Sequence, residues 1–305
     1  MGQKANSTSL RLGYKNNNWP SKYIEKNSDE FSLLIFQDLQ IRQYIDRFFN
    51  LHGIFVHSCT IHRSSDRLNL IISYFTTLGS ISFFKTKFTQ TKSKNSRKLL
   101  KKKRRLSVKQ VIRTKYIDKT KYRKKLFFSK NFFVGKLLSS LGSFLKKKYT
   151  INLFLQNLNK SLSVRLTNYE SLSFRKSILQ LRNYTKSFFF QEAINILLLS
   201  IRKRSSAKIL SEFLALKLST LKRHNYFLTF IRRSLSLLIN SNYSLIQGVK
   251  LRISGRFNGA PRSKTRVFRI NNIPLQTLNS NINYNQSIAY TNNGTFGIKL
   301  WISEK

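Results

Sequence analysis

Over residues 248–302 apolar side chains recur at every second position, a period that commits this part of the chain to a half-buried sheet. Val249, Leu251 and Ile253 fall on one side of an extended strand and Lys250, Arg252 and Ser254 on the other. Phe296, Ile298, Leu300 and Ile302 alternate in the same way with Gly297, Lys299, Trp301 and Ser303. Between these strands Gly255, Gly259 and Pro261 mark a turn, since they supply positive φ or a fixed φ where the chain folds back. The turn carries Arg256, Arg262, Lys264 and Arg266 with no acid beside them. Backbone that approaches closely at glycine, surrounded by arginine and lysine, suits phosphate oxygens. A solubilising hairpin tip would carry the same residues.

Two helices precede the sheet. Ala207 to Leu221 places Ala207, Leu210, Leu214, Leu218 and Leu221 on one stripe behind Ser206 as N-cap, and Tyr226 to Ile239 turns Phe227, Ile231, Leu235 and Leu238 inward. Lys222, Arg223, Arg232 and Arg233 fall outside that stripe. Helices over one face of a sheet make an α+β layer.

The N-terminal half predicts a second layer. Phe31 to Phe49 has mostly helical spacing and ends at His52-Gly53; Ile54 to Ile61 and Leu68 to Phe75 read as strands. Further on, Ile151 to Leu158 is expected as a helix and Leu162 to Tyr169 as a strand, with a further helix over Phe188 to Lys203. Between the halves, residues 85–148 hold 24 of the 57 basic residues, including Lys101, Lys102, Lys103, Arg104 and Arg105, against the single acid Asp118. They read as a basic insertion, kept largely extended by self-repulsion.

The charge excludes several classes. A net +46 works against compaction unless a polyanion supplies counter-charge, which makes nucleic acid the leading partner. Between Phe213 and Ser303 there is no Asp or Glu, so binding through this part should fall steeply with salt. No apolar run approaches the roughly 18 residues needed to span a bilayer. A single cysteine, Cys59, excludes an internal disulfide framework. His52, His57 and His62 flank it, but His57 and His62 have opposite strand parity and splay apart, so no metal site is expected. The 11 acids are scattered, and no P-loop, G-x-S-x-G elbow or Cys-x-x-Cys pair is present, so neither catalysis nor a cofactor is expected. Glycine (11) and proline (3) fall far below the roughly 37 a chain of this length would carry, while Phe, Ile, Asn and Lys are over-used. That bias fits an AT-rich genome. With no presequence pattern at Met1, it points to a protein made inside a mitochondrion, with a plastid or an AT-rich bacterium as the alternative.

The stretches GVKLRISGRFNGAPRSKT (248–265), IPLQTL, NINYN and FGIKLWI, together with the opening MGQKANSTSLRLG, resemble the universal family of ribosomal small-subunit protein three. IRQYIDRFF (41–49) is similar to the helix that begins that family's K-homology RNA-binding domain. The resemblance implies an α+β protein: a split K-homology type II N-terminal domain with a basic insertion, and a C-terminal domain of two helices packed on a β-sheet. The expected divisions are an RNA-binding extension (1–30), the K-homology-like domain in two parts (31–84 and 149–175) around the insertion (85–148), a linker (176–205) and the C-terminal ribosomal domain (206–305). The family's G-x-x-G clamp loop, which grips nucleotide backbone, has only Gly79 near its place; Gly135-Lys136-Leu137-Leu138 is the one candidate remnant.

The resemblance further implies a structural role in the head of the small subunit, on small-subunit ribosomal RNA. Its neighbours would be small-subunit proteins ten and fourteen, incoming messenger RNA near Arg232 and Arg233, and mitochondrion-specific ribosomal proteins at the insertion. Residues expected on RNA are Lys4, Arg11, Lys101, Lys102, Lys103, Arg104, Arg105, Arg232, Arg233, Arg252, Arg256, Arg262, Lys264 and Arg266. An organellar intron-splicing factor and a cationic membrane-surface protein are the competing readings. On this division, deletion of 88–145 should spare the C-terminal fold and weaken assembly.

Overall fold

The computed structural model describes residues 5–14, 19–25, 27–77, 133–146, 149–158, 166–202 and 206–305. In the first unit a two-residue strand β1 (Ser21–Lys22) precedes helix α1 (Glu30–Leu51). Gly53, at φ 68, turns the chain from that helix into β2 (Ile54–Arg63) and β3 (Arg67–Thr76), which pair antiparallel. A helix over 133–144 (α2) leads to β4 (Thr150–Asn157), parallel to β3, and the sheet order is β1-β2-β3-β4.

Ile41, Ile45 and Phe49 recur at i, i+4 and i+8 on α1, and Leu137, Leu141 and Leu145 continue the same spacing along α2 and one residue past its end. Both stripes are buried over one face of the sheet, against Ile61, Leu68, Leu70 and Ile72. Asp38 on α1 accepts from Arg63 at the end of β2 in a buried ion pair. Removing either partner would strand a buried charge, at a cost of about 3–5 kcal/mol.

Several sequence expectations change here. Residues 151–158 form a strand rather than a helix: Ile151, Leu153 and Leu155 lie beside Leu68, Leu70 and Ile72 of β3. The run INLFLQNL carries apolar residues at both helical and alternate spacings, and pairing with β3 decides between them. The strand expected at 162–169 is contradicted at its end, because Tyr169 lies in helix α3 (Asn168–Leu179). There Thr167 and Glu170 form a capping box that starts the helix; residues 162–165 lie outside the described residues. Gly135 to Leu138 belong to α2, with Leu137 fully buried, so they form no clamp loop. Residues 133–144 of the range expected as insertion thus form a helix packed in the first core. The helix expected over Phe188 to Lys203 within the linker is present as α4 (Phe190–Arg202), which buries Ala193, Ile196, Leu197 and Ile201. Arg202 grips Glu170 through two hydrogen bonds, of 3.1 and 2.9 Å.

In the second unit α5 (Ala207–Thr220) and α6 (His224–Ile239) lie on one face of four antiparallel strands, β5 (Ile246–Gly255), β6 (Lys264–Ile270), β7 (Ile282–Thr291) and β8 (Gly294–Glu304), in the order β6-β5-β8-β7. The strands expected to bracket the module, β5 and β8, thus pair at the centre of its sheet. Val249, Leu251, Ile253, Ile298, Leu300 and Ile302 point at Leu210, Leu214, Ile231 and Leu235 in the larger core. Ser206 precedes α5 but does not cap it; its hydroxyl donates to Ser200 O at 2.8 Å. Phe55 and Phe75 of the first sheet belong to the same core, and Lys208 of α5 reaches Asp46 of α1 at 2.9 Å.

Residues 5–14 are docked on the second unit. Thr8 Oγ1 accepts the Tyr284 N–H at 3.0 Å, on the outer edge of β7. Arg11, 5% exposed, donates to the carbonyls of Ser7, Leu275 and Thr277. An edge strand with open N–H groups invites foreign pairing, and this segment covers part of it.

Candidate nucleic-acid interface

The β5–β6 connection is built on a close approach. A Cβ on Gly255 would lie 2.3 Å from the Phe296 ring, so only glycine lets that ring sit against the strand end. The chain then turns through Phe257–Gly259 with Asn258 at φ 54 and Gly259 at φ 77. Positive φ is therefore supplied by Asn258 and Gly259, while Gly255 is needed for space.

A reciprocal pair fixes this turn to the start of α6. The His224 N–H donates to Asn258 Oδ1 at 2.9 Å, and the Asn258 N–H donates to His224 Nδ1 at 3.2 Å. With Nδ1 accepting, the ring proton sits on Nε2, 3.2 Å from Leu218 O. The imidazole is thereby held neutral, in line with the burial that lowers its pKa. Phe257 packs beside His224 and Phe296.

Arg256 donates to Pro261 O at 3.2 and 2.7 Å, and the Arg266 guanidinium stands 4.6 Å over the Phe257 ring. These two arginines brace the loop, while Arg262 and Lys264 are exposed at its far side. Arg232 and Arg233 are exposed on α6, outside the stripe of Phe227, Ile231, Leu235 and Leu238. Arg252 is exposed on β5 with Lys299 directly across from it on β8.

Little internal charge offsets this set. Among the described residues, ion pairs engage Asp38, Asp46, Glu170 and Glu192, the last with Lys217 in the core. None of these four reaches the β5–β6 loop or α6, and 213–303 holds 13 Lys and Arg without an acid. Such a surface attracts polyanions and binds them with strong salt dependence.

The structure thus brings Arg256, Arg262, Lys264 and Arg266 together around one loop and sets Arg252 on the adjoining strand. It removes Arg11 from the set, since its guanidinium is buried on carbonyls. Lys4 and Lys101 to Arg105 lie outside the described residues. Sequence reasoning missed Lys299 and Arg269, although the alternation that placed Arg252 outward puts both on the same side. Among the described residues no group of three or more His, Cys, Asp or Glu could hold a metal ion, and no helix is long and apolar enough to cross a membrane.

Residues 220–302, covering α6 and nearly all of the sheet, match the family described as ribosomal protein S3, C-terminal domain. Small ribosomal subunit protein uS3c of Cyanidium caldarium is 40% identical over 74 residues, 24% of this chain and 36% of that protein. Small ribosomal subunit protein uS3 of Neorickettsia sennetsu is 31% identical over 118 residues, 38% of this chain and 53% of that protein. The chain thus matches only about a third to a half of the length of these two relatives. The uS3c of Euglena longa is 24% identical over 305 residues, the whole of both chains. These likenesses support the ribosomal protein S3 family, the one the sequence resembles.

Proposed function

We propose that this chain is an S3-type structural protein of a small ribosomal subunit, which binds ribosomal RNA in the subunit head and is not an enzyme. The observation that carries the reading is the acid-free stretch 213–303: it contains the S3 match and presents Arg252, Arg262, Lys264, Arg232 and Arg233 outward. Each phosphate these residues neutralise releases condensed counterions, so the contact gains most where RNA is dense.

The first unit serves as a K-homology-like platform of type II. Support comes from its order of helix, two antiparallel strands, helix and a final parallel strand. The basic insertion separates β3 from α2, and Lys101 to Arg105 within it bind RNA or organelle-specific ribosomal proteins. Arg232 and Arg233 line the messenger RNA entry side, and small-subunit proteins ten and fourteen are neighbours. For the compartment, AT-biased composition favours an organelle, and relatives of plastid and bacterial type favour a plastid over the mitochondrion expected from composition. Locating the gene in one organellar genome decides between them.

The test is ultraviolet crosslinking in the organelle, followed by sequencing of the attached RNA. The reading expects small-subunit ribosomal RNA joined to peptides of 232–266. Crosslinks to intron RNA instead would establish the splicing alternative.

A further inference from the structure

The sheet of the second unit has two faces, and the helices cover only one. On the other, strand register sets Arg269, Lys250, Trp301 and Tyr284 in one row across β6, β5, β8 and β7, and Val267, Arg252, Lys299 and Gln286 in the next. Arg252, Lys299 and Arg269 are exposed. Arg252 faces Lys299 directly and Lys250 faces Arg269. Like charges in that position oppose folding, and the stretch 213–303 carries no carboxylate of its own. Beside them lie two half-buried aromatic rings, Trp301 and Tyr284. Lys250 Nζ lies 5.2 Å from the Trp301 ring, and the Tyr284 ring centroid is 5.2 Å from it at 38°. Further along β7, Tyr290 is 73% exposed.

We propose that this open face is a second RNA site, which takes an unpaired strand: phosphates on Arg252, Lys299 and Arg269, and a base against the Trp301–Tyr284 pair. The inference rests on the RNA-binding reading and extends it beyond the β5–β6 loop and α6. Cations alone would suit any polyanion. The aromatic pair selects for nucleic acid, because bases stack on such surfaces and carboxylates do not. It also selects for unpaired RNA, since a duplex hides its base faces within the stack. Small residues (Ser254, Gly297 and Thr265) occupy the row next to the loop, leaving a shallow path from Arg262 and Lys264 to Arg252.

The full chain carries two tryptophans, Trp19 and Trp301, so a Trp19→Phe variant leaves Trp301 as the sole reporter. It is titrated with a labelled single-stranded 12-nucleotide RNA and with the matching duplex, reading Trp301 emission and RNA anisotropy together. The proposal expects quenching by the single strand, with tighter binding than the duplex. In an Arg252→Ser/Lys299→Ser variant it expects about tenfold weaker binding and a log–log salt slope shallower by roughly 1.4, from two lost phosphate contacts. The variant's melting temperature should be unchanged or higher, because a like-charge pair has gone. RNA binding without quenching, unaffected by the double variant, would overturn the open-face site while leaving RNA binding intact. No anisotropy change at all would overturn the RNA-binding reading itself. Equal quenching by polyglutamate would overturn the choice of RNA as occupant.

Discussion

His224 and Asn258 hold each other through two backbone–side-chain hydrogen bonds, so the first residue of α6 and the tip of the β5–β6 loop move as one piece. The loop's arginines are therefore presented by a braced turn rather than a mobile one. Asn258→Ala removes the acceptor for the His224 N–H and the side chain that tolerates φ 54. We expect a loss of about 1–3 kcal/mol in urea unfolding.

The same pair sets a pH dependence. Burial lowers the His224 pKa from its ordinary 6.5, so the unfolded chain binds the proton more readily than the folded one. The contribution is intact above 6.5 and is lost as pH falls from there towards the lower folded value. Melting curves between pH 7.5 and 5 should show this decline, and a His224→Gln variant, which cannot titrate, should lack its share of it.

Glu212 has the opposite sign. Burial pushes its carboxyl up to about 7, with Lys208 opposing and Asp46 adding to the rise, and its Oε2 is buried without a hydrogen-bond partner. The folded state favours the protonated acid, so this contribution holds below 4.5 and disappears as pH rises through 7. Glu212→Gln should melt about 2–4 °C higher than the parent at pH 8 and match it at pH 5.

Arg11 is a test of the docked N-terminal segment. Its guanidinium donates to Ser7, Leu275 and Thr277 carbonyls. Arg11→Ala should destabilise the second unit by about 1–3 kcal/mol, because buried carbonyls lose their donor. Equilibrium binding to RNA, measured where the variant is folded, should not change. A drop in affinity without loss of stability would restore Arg11 as an RNA ligand.

Leu141 is 2% exposed in the first core, and Leu141→Ala should cost about 2–5 kcal/mol in denaturant unfolding. Deletion of 88–145 takes Leu137, Leu141 and Leu145 out of that core as well. It should unfold the first unit and leave the second folded, whereas a deletion ending before α2 keeps all three leucines.

How far the sequence could be read follows from which contacts were local. β5 and β8 were legible because Val249, Leu251, Ile253 and Ile298, Leu300, Ile302 alternate strictly, and each strand has one face in the core. α1 was legible from the spacing of Ile41, Ile45 and Phe49 and from Gly53 at its end. β4 was not, since INLFLQNL satisfies two periods and only its parallel partner β3, some eighty residues earlier, selects one. The N-terminal segment was illegible for the same reason in stronger form: Thr8 meets Tyr284, 276 residues away. At the site, charge and alternation marked Arg252, Arg262 and Lys264. The bracing roles of Arg256, Arg266 and His224 depend on Phe257 and Asn258 folding back on α6, which spacing alone does not encode.

The most direct test of the central claim is a sucrose gradient of organelle lysate at physiological salt, run with and without ribonuclease and probed for this protein and for small-subunit ribosomal RNA. The account predicts co-migration with the small subunit that ribonuclease abolishes. Migration away from small-subunit RNA, or co-migration that ribonuclease leaves unchanged, would contradict it.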